Sequence, residues 1–315
     1  MRAYQLTAPR EFTEVDLPEP KLEKGTILTK TAFVSICGSD WYTVNHGRDY
    51  DVFPLPVGRP IHEVSEIVVE SDDPDFAPGD RVLDVAYDGG LKEYHLRTAS
   101  QLVKLPNSPT LEELLMSQPL GVVLHACRKW PSLLGQSAVV MGQGAIGQFF
   151  TAVLKMQGAG PIITVDMEDG RLMTSQKMGA TDTLNAGKVN VLEAVKDLTG
   201  GKGPDMVVEA CGQEATYNMA IDMARKGGMM TFFGLPKYER TSLKLTDLIR
   251  RDGVIFTSNQ GERDADFALA RDLIASGKVY VRPLISHKLP VGDILTAFQL
   301  AENRADNALK IVLEY

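Results

Sequence analysis

The apolar positions change period part-way along the chain. Over residues 1 to about 119 they form short runs, alternating or continuous, at 26–34, 67–70 and 81–85. Turn-forming clusters separate them: Asp72-Asp73-Pro74, Ala77-Pro78-Gly79-Asp80 and Asp88-Gly89-Gly90. Strands that follow one another without helices point to a compact β-barrel rather than a βαβ array. Between Pro109 and Trp130 the period becomes helical, first over 111–115 and then over the apolar stretch 120–127, which links two domains. From about 137 to 260 strands (138–141, 162–165, 206–209, 229–233, 254–257) alternate with helices such as 191–198 and 215–224. That alternation predicts a doubly wound parallel sheet. The tail reads as a helix over 264–276, the segment Leu284-Ile285-Ser286-His287-Lys288-Leu289, a helix over 291–301 and a strand over 310–313 that returns to the first domain. The expected organisation is α/β, with a β-barrel domain over 1–119 completed by 262–315 and a parallel-sheet domain over 120–261. No internal repeat or low-complexity segment interrupts it.

The sharpest local signal is the transition from strand to helix at Val139-Val140-Met141-Gly142-Gln143-Gly144-Ala145-Ile146-Gly147. The spacing is G-x-G-x-x-G. Gly142 permits a tight turn, Gly144 lets the backbone approach a pyrophosphate, and Gly147 lets the helix pack closely on the strand. The helix N-terminus then presents free N–H groups to phosphate. The next apolar run ends at Asp166, 24 residues past Gly142, where a carboxylate can take both hydroxyls of an adenosine ribose and repel a 2′-phosphate. A dinucleotide site selective for NAD follows; a plain structural βαβ turn is the alternative. The loops after later strands, Cys211-Gly212 and Gly234-Leu235-Pro236, with Ser258 after the strand at 254–257, are candidate cofactor contacts, because ligands sit at the carboxyl ends of such strands. Their alternative reading is as ordinary glycine turns.

Composition narrows the class. A chain of 315 residues suits two domains, and 44% hydrophobic content suffices for packed cores. A net charge of −8 argues against a nucleic-acid or polybasic membrane surface. No apolar run approaches the roughly 20 residues of a membrane helix. The first residues lack the apolar core of a signal peptide, so a soluble cytoplasmic protein is expected. Three cysteines, Cys37, Cys127 and Cys211, are too few and scattered for a disulfide framework. Cys127 and Cys211 lie in apolar surroundings and read as buried or semi-buried packing residues.

In the first domain Cys37-Gly38-Ser39-Asp40 is followed by Pro60-Ile61-His62-Glu63. Thiolate, imidazole and carboxylate are groups that zinc accepts, and a catalytic site keeps one position open. Chance Cys-Gly turns and His-Glu pairs are common, so chemistry alone leaves zinc open. The ordered set of Cys37-Gly38-Ser39-Asp40, His62-Glu63, Gly89-Gly90-Leu91-Lys92-Glu93-Tyr94, Pro119-Leu120 and the glycine triplet with Asp166 resembles the zinc-dependent medium-chain dehydrogenases. The resemblance is greatest to their sorbitol and threonine dehydrogenase branch. Asn45-His46-Gly47-Arg48, Ile285-Ser286-His287-Lys288 and the segment 305–310 add to it, so it spans essentially the whole chain.

This resemblance implies a GroES-like barrel plus a Rossmann domain, NAD, one catalytic zinc and a small alcohol or polyol as substrate. It further implies a homodimer or homotetramer. Cys37 and His62 match catalytic zinc ligands. Glu63 matches an acid that ligates zinc directly in the polyol branch. Ser39 matches the hydroxyl that receives the substrate proton. Ile146, Asp166 and Arg171 match positions around the adenosine. Four departures stand out. Gln118, a poor zinc ligand, occupies a position where the family commonly has an acid or cysteine, and so it would hold a zinc-bound water, leaving the Cys37 and Glu63 charges to balance the ion. Tyr42 stands where a histidine relay is frequent; its phenol can pass a proton, and His46 is the alternative relay. Glu66 replaces a glycine, as a further ligand, a substrate contact or a solvated strand residue. The four-cysteine lobe that binds a structural zinc is missing, so no structural zinc is expected. Hydride would pass from the alcohol carbon to nicotinamide, with the proton leaving through Ser39 toward Tyr42. A zinc-free quinone-oxidoreductase-type enzyme on the same fold and a catalytically silent NAD-binding protein are the alternatives.

Overall fold

A computed structural model describes residues 1–47, 52–87, 89–236 and 240–315; Arg48 and Asp88, named above, lie outside them. The chain divides into two compact units, 1–121 with 262–315, and 122–261.

The first unit opens with a hairpin of β1 (Arg2–Ala8) and β2 (Glu11–Asp16). Then come β3 (Ile27–Ser35), α1 (Gly38–His46), β4 (Glu63–Ser71), β5 (Arg81–Asp84), β6 (Tyr94–Arg97), β7 (Leu102–Leu105) and α2 (Leu111–Leu115). Helix α1 falls where the sequence shows only a Cys-Gly turn. Its N-cap is Cys37, and Asp40, three residues on, accepts from the Cys37 N–H at 3.0 Å. That is capping-box spacing carried by residues other than the usual serine and glutamate, which hides it from inspection. Helix α3 (Ser117–Cys127) carries the chain into the second unit.

There β8 (Ala138–Met141), α4 (Ala145–Met156), β9 (Ile162–Asp166), α5 (Asp169–Met178), β10 (Asp182–Asn185), α6 (Val191–Leu198), β11 (Met206–Glu209), α7 (Glu214–Met223), β12 (Met229–Phe232), α8 (Leu245–Arg250) and β13 (Val254–Thr257) alternate. The strands form an all-parallel sheet in the order β10-β9-β8-β11-β12-β13. Near-continuous apolar strands are what a sheet covered on both faces demands. Val139, Ile163, Val207 and Met230 pack with Val195 of α6 and with Ala220 and Ile221 of α7. Strand order reverses between β8 and β11, so the turns that follow these two strands border the crevice where such folds take ligands.

The chain then returns to the first unit. The helix expected over 264–276 opens with a π-helical turn at Arg263–Phe267 and continues directly as α9 (Ala268–Ala275). After β14 (Ile285–Pro290) and α10 (Ile294–Asn303), β15 (Lys310–Glu314) pairs antiparallel with β3. The sheet of this unit runs β14-β15-β3-β4-β5-β7, with β6 also on β3. Alternation places Val64, Glu66 and Val68 on one face of β4. Val64 packs in a cluster with Val34, Leu91 and Leu313, and Val68 in another with Ile27, Val82 and Leu102. Glu66, between them, is fully buried.

Candidate active site

Cys37 at the head of α1 and His62-Glu63 at the start of β4 come together in the first unit. One ligand atom from each lies within 4.8 Å of the others. Zinc–ligand bonds of the usual length set tetrahedral donors roughly 3.4–3.8 Å apart, so only a small contraction separates this arrangement from a closed site. Asp40 ties the pair together. One of its oxygens accepts from the Cys37 N–H, and the other stands 3.1 Å from His62 Nδ1. A carboxylate on Nδ1 leaves Nε2 for a metal, the arrangement found around metal-bound histidines. Burial disfavours charge on His62, but the Asp40 carboxylate and the Cys37 sulfur outweigh it and hold its affinity for protons well above that of an ordinary histidine. A bound cation would take the place of that proton.

Glu63 is fully buried. Its Oε2 accepts from the Ser35 hydroxyl and from the Lys310 ammonium, which also donates to the Ile36 carbonyl at 3.0 Å. Its Oε1 is buried without a partner. An orphaned carboxylate oxygen beside a thiol and an imidazole is what a metal would satisfy. Lys310 adds a partner that the expected charge balance leaves out, because its ammonium already lies against Glu63. Nothing in the sequence around Ser35 or Lys310 points to a place beside Glu63. Lys310 lies 247 positions from Glu63, and no local pattern connects them.

Ser39, Tyr42 and His46 recur at three- and four-residue steps on α1, which places them along one side of the helix. The Tyr42 and His46 rings lie 5.4 Å apart; His46 is exposed and also meets Trp41 edge-on at 5.5 Å. Gln118 is buried in the first turn of α3. Glu66 is neither a solvated strand residue nor part of the Cys37 group. It groups instead with Asp84 and His95, its Oε1 2.5 Å from His95 Nδ1. Glu66 is buried, which raises its pKa, yet His95 and then Arg97 lower it below an ordinary carboxyl; burial and the Glu66 charge push Asp84 up to about 6.

In the second unit Gly142 has φ +88°, and a Cβ at Gly147 would collide with the Gly142 carbonyl. A Cβ at Gly144 would meet nothing within 4 Å, so the turn is open on that side. Asp166 closes it from behind: Oδ2 accepts from Gln143 N at 2.6 Å, and Oδ1 from Met167 N and Glu168 N at 2.8 and 3.0 Å. Ile146 and Arg171 lie in the first turns of α4 and α5, and the Arg171 carbonyl accepts from Gln148 at 2.8 Å. The loops after β11 and β12 touch, since a Cβ on Gly234 would strike the Gly212 N–H. Leu235 is exposed, and the Ser258 hydroxyl is buried without a partner. Cys127 is buried, but Cys211 is exposed, contrary to its expected packing role. Its Sγ stands where a Cβ on Gly142 would come within 2.7 Å, at the lip of the glycine turn.

Comparison with known proteins places this geometry. The profile of the alcohol dehydrogenase GroES-like domain matches residues 23–107, and that of the zinc-binding dehydrogenases matches residues 145–276. The chain belongs to the zinc-binding medium-chain dehydrogenases. Among relatives, L-threonine 3-dehydrogenase of Bacillus velezensis is 28% identical, with 90% of each chain covered. Sorbitol dehydrogenase of Gallus gallus is 28% identical over 94% of this chain and 91% of its own. The alcohol dehydrogenase of Thermus sp. ATN1 superposes with a TM-score of 0.89 over the whole of both chains at 23% identity, which shows a shared fold. This medium-chain dehydrogenase is therefore an oxidoreductase with a GroES-like domain and a Rossmann domain. No helix of its described residues is long and apolar enough to cross a membrane.

Proposed function

We propose that this chain oxidises a secondary alcohol or polyol with NAD and one zinc ion held by Cys37, His62 and Glu63. The observation that carries the reading is the buried, partnerless Glu63 Oε1 beside Cys37 and His62. When bound, zinc polarises the substrate hydroxyl as a Lewis acid, and nicotinamide accepts the hydride. The protein's own groups supply the rest. Asp40 keeps the His62 Nδ1 edge occupied, and Lys310 with Ser35 holds one Glu63 oxygen and leaves the other without a protein partner. Ser39 takes the substrate proton, and Tyr42, with His46 next to it, passes it outward. Gly142, Gly144 and Gly147 cradle the pyrophosphate at the head of α4, and Asp166 takes the adenosine ribose. Ile146, Arg171, Cys211, Gly234, Leu235 and Ser258 would surround the cofactor, and Gln118 would hold a water at the position zinc leaves open rather than ligate the ion.

A substrate of the alcohol or polyol class agrees with relatives named sorbitol dehydrogenase, threonine dehydrogenase and D-xylulose reductase. No cysteine lies in 85–93, between β5 and β6, which supports a single zinc without a structural partner. The Rossmann edge strand β13, with exposed Val254, and α8, with exposed Leu245 and Ile249, suit assembly into a homodimer or homotetramer. The test is an NAD-reduction screen over sugar alcohols, cyclitols, secondary alcohols and threonine, with zinc measured on the same sample. Cys37→Ala is expected to lose both zinc and alcohol oxidation. Full activity in that variant would sink the zinc reading, and NAD binding without turnover across the panel would favour a silent binding protein.

A further inference from the structure

Among the described residues six non-glycine positions have positive φ, and Tyr87, at +59°, is the sole aromatic among them. A bulky side chain in left-handed backbone is a real outlier, and such strain persists only where the surroundings dictate it. Glycine would suit the position, and two glycines follow at 89 and 90. Yet a tyrosine stands there, its ring stacked on the His62 imidazole with centroids 5.6 Å apart and planes 25° from parallel. The same ring meets Phe267 at 6.5 Å.

The surroundings that dictate it are buried acid–base pairs. Before Tyr87, Asp84 Oδ1 accepts from the Ala86 N–H at 2.7 Å and turns the chain as it leaves β5. Asp84 Oδ2 is gripped by Arg97 through Nε at 2.8 Å and Nη2 at 2.7 Å. After Tyr87, His95 Nε2 stands 3.1 Å from the Gly89 carbonyl, an acceptor, so that nitrogen donates. Its Nδ1 faces Glu66. The Gly90 N–H donates to the Ile61 carbonyl at 2.7 Å, next to His62 itself. Glu66, Asp84, His95 and Arg97 are all buried. Glu66, Asp84 and His95 also cluster tightly enough for a metal. Glu66 Oε2 is left without a partner, but His95 serves Glu66 Oε1 and the Gly89 carbonyl and Arg97 holds Asp84, so a second cation would meet the Arg97 guanidinium. The cluster reads as a brace.

We propose that Tyr87 is a positioning residue for His62. The Asp84–Arg97 and Glu66–His95 pairs fix the chain on either side of it, so that its ring lies against the imidazole and sets the imidazole plane. Asp40 restrains one edge of His62 by a hydrogen bond, which leaves the ring free to tilt; a stacked face removes that freedom. This inference rests on His62 being a zinc ligand.

Full-length Tyr87→Gly, Tyr87→Leu and Tyr87→Phe proteins test it, read by zinc affinity in chelator competition, by thermal unfolding of the metal-free protein, and by kcat and KM. Tyr87→Gly is expected to unfold no lower than the parent, because its backbone strain is relieved, yet to bind zinc 10- to 100-fold more weakly, the usual effect of losing a partner behind a ligand. Tyr87→Leu keeps bulk without a ring plane and is expected to lose affinity too, whereas Tyr87→Phe keeps both affinity and kcat. Parental zinc affinity in Tyr87→Gly or Tyr87→Leu overturns the inference and leaves the metal reading standing. So does a loss in Tyr87→Phe as large as in Tyr87→Leu. A parent protein that binds no zinc overturns both.

Discussion

Replacing Lys310 with Met keeps the length of the side chain and removes its charge. In the parent, the Lys310 and Glu63 side chains are 4% and 0% exposed, so solvent cannot stand in for the missing partner. Two effects compete in size. The lost hydrogen bond to the Ile36 carbonyl is worth about 1 kcal/mol. Leaving Glu63 buried with only the Ser35 hydroxyl costs about 3–5 kcal/mol, the usual result of breaking a buried pair from one side. The electrostatic effect therefore dominates. For a unit of this size each kcal/mol moves the midpoint by about 2–4 °C, so the metal-free variant should melt about 6–20 °C below the parent. Glu63→Gln in the same background removes the stranded charge and should recover most of that loss. Zinc opposes the same charge, so adding it should raise the midpoint of Lys310→Met more than that of the parent. Differential scanning calorimetry of the metal-free proteins, with and without added zinc, reads all three effects. A Lys310→Met midpoint within 2 °C of the parent, or a double variant no more stable than the single one, would refute the pairing and its place behind the metal site.

Asp166→Gly should lower NAD affinity far more than NADP affinity. Because Asp166 also anchors Gln143 N, both will fall, and the ratio measured by titration calorimetry is the readout; equal losses refute the ribose assignment. Burial raises the Glu209 carboxyl above the ordinary value of 4.5, against hydrogen bonds from Thr216, Cys211 and Gly212. A raised carboxyl contributes stability that is complete below 4.5 and is lost as pH climbs through its raised value. Melting of the parent should therefore weaken from pH 4.5 upward by more than in Glu209→Gln, and parallel pH profiles would contradict this.

What could be read in advance follows from the range over which each feature is encoded. The parallel sheet was legible because a covered strand must be apolar along its length and its helix must repeat every 3.6 residues, and both signals lie within about a dozen positions. The glycine turn and Asp166 lie on adjacent strands, and their spacing survives in the sequence. Cys37, His62 and Glu63 stood out as residue types, but the chain alone could not say what surrounds them. Asp40 stands three residues from Cys37, but the same spacing reads as a turn until α1 is seen. Lys310 joins β15 to β4 across most of the chain, and the three readings open to Glu66 are separated only when its buried partner His95, from another strand, is seen. Tyr87 is the extreme case, since neither its residue type nor its neighbours in sequence announce a left-handed backbone or a stacked imidazole. Of the features around the candidate metal, those encoded by a motif supply the ligands. Those encoded only by folding, Lys310 on Glu63 and Tyr87 on His62, set their charge and orientation, so variants at these two positions test the site independently of its motif.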